Sequence, residues 1–126
     1  MNASHAASTY ASANMKTASG LHLVVQAYRL TLDHLHAARD AMAAGRLGEK
    51  GERVGKAMHA IMELRSVLDK EQGGEVAEQL ERLYVYFIHV LTEANIANDL
   101  DQLDGAVALW SELMEAWRQA SCLERT

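Results

Sequence analysis

Apolar residues recur along this chain at intervals of three and four, the spacing of helices that each bury one face. Leu21, Val24, Tyr28, Leu32, Leu35 and Met42 form the first series, opening at Ser19, a residue suited to capping, and closing at Gly45, which tolerates a left-handed stop. The second runs through Leu47, Val54, Met58, Ile61, Leu64 and Leu68, and the segment "DKEQGG" is expected to end it at Gly73 and Gly74. The third holds Val76, Leu80, Leu83, Phe87, Val90 and Ala94; the fourth holds Leu103, Val107, Trp110, Met114 and Trp117. Proline is absent, so nothing in the composition breaks these series. The expected fold is all-α, an antiparallel four-helix bundle over residues 19–121 with a short tail at 122–126. Residues 1–18, rich in Ala, Ser, Thr and Asn, read as a flexible or short-helical arm with Tyr10 and Met15 as anchors.

Two features go beyond what a bundle requires. In the third helix, "LYVYFIHVL" from Leu83 to Leu91 is apolar everywhere except His89. Its apolar arc spans roughly 200°, about twice what a bundle helix needs, and leaves a narrow polar face of Glu75, Glu78, Arg82, His89 and Glu93. The surplus, centred on Tyr84 and Ile88, is either walled in by the bundle itself or covered by the arm, a second copy or another protein. The second feature is "EANIANDLDQLD", Glu93 to Asp104, which reads as a corner between helices. Asn98 suits the left-handed stop, and Asp99 or Asp101 suits the next cap, with Gln102 placed to complete a capping box. Asn95 lies one turn earlier on the apolar side, where an amide must be bonded. It is expected to tie the corner or to hold a partner's main chain.

Charge and chemistry narrow the function. A net charge of -5 without a basic stripe argues against nucleic acid and against an anionic membrane surface. No run of about 18 apolar residues provides a membrane span. The lone Cys122 has no partner for an intrachain disulfide, which together with the lack of a signal-like N-terminus suggests a cytoplasmic protein. None of the six histidines follows a Glu at the spacing of a di-iron bundle. His59 with Glu63, and His89 with Glu93, read as solvated i, i+4 pairs rather than metal ligands. No metal, cofactor or catalytic residue is expected, and the chain is not read as an enzyme. Gly51 and Gly55, four apart, suggest either a docking face or, more commonly, close approach of a neighbouring helix.

The stretch "GGEVAEQLERLYVYFIHVLTEANIANDLDQLD", Gly73 to Asp104, resembles the flagellar secretion chaperone family FliS, whose pattern runs G-G-E-x-A-x-x-L-x-x-L-Y-x-Y and on to A-N-x-x-N-D. "EKGERVGKAMHAIMELRSVLD" is similar to the family's second helix, Ala116–Trp117 to its last helix, and "YASANMKTAS" to its N-terminal tyrosine and helix start. The chain departs from the pattern at Val85, His89 and Val90, where the family carries charged residues, at Gly20 in place of proline, and around "AYRLTL". The resemblance implies a cytoplasmic chaperone that binds the disordered C-terminal segment of flagellin, prevents its premature polymerisation and assists delivery to the flagellar export gate. The candidate flagellin-binding residues are Met58, Ile61, Tyr84, Phe87, Ile88, Leu91 and Asn95, with Tyr10 as a plug over an empty groove. The alternative is a homo-oligomeric structural or regulatory protein, in its simplest form a homodimer, that buries the same face.

Overall fold

The structure, a computed structural model, describes the backbone of residues 18–124 and the side chains of residues 22–120. Most of the expected arm, Tyr10 included, lies outside the described residues, as does the side chain of Leu21. Four helices follow one another: α1 (Ala18–Ala43), α2 (Leu47–Ser66), α3 (Lys70–Ala97) and α4 (Leu100–Glu124). They pack as a ring in which α1 and α3 each lie against both α2 and α4. Cross-links at matching ends make neighbours antiparallel. Arg39, late in α1, reaches Asp104 at the start of α4 at 2.8 Å, and Arg53 in α2 reaches His34 in α1 at 3.1 Å.

The corners show how far local chemistry decides the path. Gly45 takes φ 76°, and the amides of Gly45 and Arg46 turn back to the carbonyls of Met42 and Ala41, closing α1 in the expected left-handed way. Asn98 does the same for α3 at φ 50°, its own amide and that of Asp99 both reaching the Ala94 carbonyl. Asp99 Oδ1 accepts from the Gln102 amide at 3.1 Å, so the expected cap forms. The reciprocal arm of the capping box does not, because the Asp99 amide is already bonded to the Ala94 carbonyl; Gln102 Nε2 donates to Glu93.

Two expected boundaries are corrected. Ser19 is already helical in α1 and is not its cap. The glycine pair does not end α2, which stops at Ser66; the corner is Val67 to Asp69, and Asp69 Oδ1 caps α3 through the Gln72 amide at 3.0 Å. Gly74, at φ 51° and ψ -127°, kinks α3 after its first turn, in a conformation open to glycine because it has no Cβ. A strong helix breaker thus sits inside a helix, since a good cap four residues upstream starts the helix before the glycines can stop it.

The core is aromatic at its centre. Tyr28 stacks on Trp110 with ring centroids 4.5 Å apart, and Phe87 meets Trp110 edge-on at 4.9 Å. Trp110 Nε1 donates to the Tyr28 carbonyl at 3.0 Å, and the hydroxyls of Tyr28 and Tyr84 are hydrogen-bonded to each other across the bundle from α1 to α3. Leu113 is buried where Met114 was expected, and Val25 where Val24 was; both are shifts of one residue within the same stripe.

Candidate docking site

The apolar surplus of α3 is present, but it is divided. Tyr84, Phe87 and Leu91, with Ile61 of α2, have between 0% and 1% of their surface exposed and belong to the core. The side chains left over are Val85 and Tyr86, which flank the polar face on opposite sides. Tyr86 lies towards α4, sharing a shallow hollow with Val90, Gly105 and Leu109. Val85 lies towards α2, beside Ile88, which is partly buried and packs against the core. Expecting Tyr84 at the surface was an error of about one residue's rotation, since a 100° step separates a core position from a rim position.

Three contacts set the register of the α2–α3 pair. Lys50 Nζ donates to the Asn95 carbonyl at 2.9 Å at one end, Thr92 Oγ1 meets Met58 Sδ at 3.9 Å in the middle, and Arg65 reaches Glu81 at 3.6 Å at the other end. This register sets Met62 opposite Val85 and Ile88, and puts Gly51 and Gly55 level with Asn95 and Ile96, although the hollow the two glycines line is shared with Leu30 and His34 of α1. Met62, Val85 and Ile96 are 46%, 44% and 79% exposed. By this register Met58, Met62, Val85 and Ile88 line the seam between the two helices, a trough whose observed hollow lies at the Met62 end, beside Arg65 and Glu81. Gly51 and Gly55 have nothing among the described residues within 4 Å of where a Cβ would stand, so they do not serve close helix packing, the commoner expectation.

At the glycine end stands a group that sequence reasoning missed. Lys50 is 6% exposed and its ammonium also donates to Asn98 Oδ1. Both acceptors belong to the C-terminal turn of α3, where free carbonyls and the negative end of the helix dipole favour a cation. Asn95 therefore ties the corner through its backbone carbonyl. Its side-chain amide, half-buried at the trough, makes no hydrogen bond among the described residues.

At the far end, the Lys70 ammonium, 2.7 Å away, holds the Glu81 carboxyl below the usual carboxylate range, with Arg65 adding to the effect. On the opposite flank of α2, burial first, and then the charges of Arg53 and Lys56, push the His34 imidazole below its ordinary 6.5. Protonation of His34 thus favours the unfolded chain. The stability it contributes is complete above about pH 6.5 and is lost as pH falls below that value. Between pH 7 and 5.5 the urea midpoint of the wild type is expected to fall further than that of His34→Gln; equal shifts would remove His34 as a titrating group in this range.

His59–Glu63 and His89–Glu93 form as exposed pairs at 3.1 and 3.0 Å, and among the described residues no three His, Cys, Asp or Glu side chains converge as a metal site would require. Among those residues, no helix is long and apolar enough to cross a membrane. What the geometry offers is a helical bundle with exposed apolar side chains along the seam of α2 and α3.

Comparison with known proteins makes this specific. The family model of flagellar protein FliS matches residues 2–124. The chain is 36% identical over 104 residues to the flagellar secretion chaperone FliS of Vibrio cholerae, covering 82% of this chain and 76% of the relative. It is 46% identical over 86 residues to the flagellar secretion chaperone FliSB of Pseudomonas aeruginosa, covering 68% of each. The chain belongs to the FliS family of flagellar secretion chaperones.

Proposed function

We propose that this protein is a cytoplasmic export chaperone that binds the disordered C-terminal segment of flagellin, keeps it from polymerising early and assists its delivery to the flagellar export gate. The observation that carries this reading is the trough: exposed Met62, Val85 and Ile96 continue half-buried Met58 and Ile88 along two helices, on a chain of a flagellar chaperone family. An amphipathic segment laid there buries its apolar face, and the flexible methionines fit varied side chains. Ile61, Tyr84, Phe87 and Leu91 act beneath the trough as its floor, setting the positions of Met58 and Ile88. Asn95 supplies an amide for the client's main chain, and Tyr10 covers the trough when it is empty. Ordering a disordered client costs several kcal/mol, which a long trough offsets better than a single pocket. Calorimetric titration with a synthetic C-terminal flagellin segment from the same host is expected to give one-to-one binding at micromolar affinity or tighter. No heat of binding at that concentration sinks the proposal.

Self-association is the second reading, favoured by a separate apolar face where α1 meets α2: Leu23, Leu30 and Val67 are 64%, 53% and 70% exposed around one hollow. Light scattering on the purified chain separates the two readings. A stable dimer that binds no flagellin segment favours self-association.

A further inference from the structure

We propose that Lys50 is a positioning residue that sets the separation of α2 and α3 at the Asn95 end of the trough, and through it the affinity for the client; the affinity part rests on the reading above. Lys50 is a buried cation whose two observed partners, the Asn95 carbonyl and Asn98 Oδ1, are both uncharged and both belong to the last turn of α3. A buried ammonium without these partners is costly, so the lysine holds the corner as firmly as the corner holds the lysine.

The geometry makes this clasp different from ordinary packing. Beside it on α2, Gly51 and Gly55 carry no side chain and border a hollow shared with Leu30 and His34 of α1, so they add no contact to α3. Around the middle of the pair, Met58 and Thr92 are in contact, and at the far end Arg65 and Lys70 share Glu81. Near Asn95 the observed side-chain link from α2 to α3 is the Lys50 ammonium. Asn98 accepts from Lys50 in the left-handed conformation that also turns the chain into α4. One side chain thereby couples the α3–α4 corner to the N-terminal turn of α2. With the ammonium removed, α3 keeps its helix but loses its tether to α2, and the end of the trough that carries the Asn95 amide is free to widen.

The test measures geometry and affinity separately. Spin labels at Gly51→Cys and Ile96→Cys, with Cys122→Ser, report the width of this end in the free protein. Lys50→Met, of similar length and without the ammonium, is expected to broaden and lengthen that distance distribution and to weaken binding of the flagellin segment about tenfold, the scale of a lost hydrogen bond to a charged group. Lys50→Arg, which keeps a charged donor, is expected to restore most of both. Lys70→Met, at the other end, is expected to leave the Gly51–Ile96 distance unchanged. If Lys50→Met does not fold, Asn98→Ala, which removes one acceptor only, is expected to show the same changes at smaller size. An unchanged distance distribution in the folded variant overturns the proposal, as does an unchanged affinity alongside lower stability. If the wild type fails to bind the flagellin segment at all, the function assigned above has failed, and the label distances still decide whether Lys50 sets the width.

Discussion

Replacing Trp110 with alanine is expected to lower the unfolding free energy by about 3–5 kcal/mol, the range for deleting a buried aromatic side chain. For a domain whose whole stability is on the order of 5–15 kcal/mol, that is a large fraction. Trp110 has no exposed surface, stacks on Tyr28, meets Phe87 edge-on and donates to the Tyr28 carbonyl. The alanine variant removes all four contributions and leaves a cavity that helices held at both ends close only in part. Trp110→Phe keeps an aromatic ring in the stack but lacks the indole donor, and is expected to cost roughly half as much or less. Urea titrations followed by circular dichroism measure both. A loss below about 1 kcal/mol for the alanine variant would mean that the aromatic cluster does not organise the core.

Ile88→Asp is expected to act in the opposite proportion. Ile88 is partly buried, packed against the core from the side of the trough, so a carboxylate there keeps some access to water. Its cost to folding is expected to be about 1–2 kcal/mol. A client that covers the trough must desolvate the same carboxylate against an apolar surface, so affinity is expected to fall about a hundredfold, or roughly 2.7 kcal/mol. Paired calorimetric and denaturation measurements separate the two losses. If folding loses as much as binding does, Ile88 is ordinary core and the trough is not where the client sits.

How much of this could be read beforehand depends on the range of the interaction concerned. The four helices and the left-handed stops at Gly45 and Asn98 were legible, because helical spacing and the conformational freedom of Gly and Asn act within a few residues. Gly73 and Gly74 misled for a related reason. Their breaking tendency is real, as the kink at Gly74 shows, but the boundary was decided by Asp69, whose carboxylate captures the Gln72 amide upstream. The capping box at Asp99 failed on one arm because the left-handed stop at Asn98 directs the Asp99 amide to the Ala94 carbonyl.

The apolar surplus was legible in outline and misplaced in detail. An arc of about 200° on α3 correctly announced apolar surplus, but which residues remain outside depends on how α3 is rotated between α2 and α4. That rotation is set by tertiary contacts, such as the Tyr28–Tyr84 hydroxyl pair, that link residues far apart in sequence. Lys50 did leave a signal. It falls in the run Leu47, Lys50, Val54, Ala57, Ile61, Leu64, Leu68, where every step is three or four, so a charged residue occupies a core register. A cation there needs acceptors, and the corner rich in asparagine was the place to look for them. Asn95, expected to act through its amide at the corner, turned out to contribute its carbonyl, a group that every residue possesses and that side-chain identity does not reveal.

The pairing of α1 with α4 has a consequence for how the molecule is made. The bond from Trp110 to the Tyr28 carbonyl spans 82 residues and joins the first helix described here to the last. During synthesis the first three helices leave the ribosome with their share of the aromatic centre unfilled, because both tryptophans lie on the fourth. Closing the ring is therefore a long-range step that waits for α4 to emerge. Until then Tyr28 and Phe87 lack the tryptophan ring that packs on them in the finished fold.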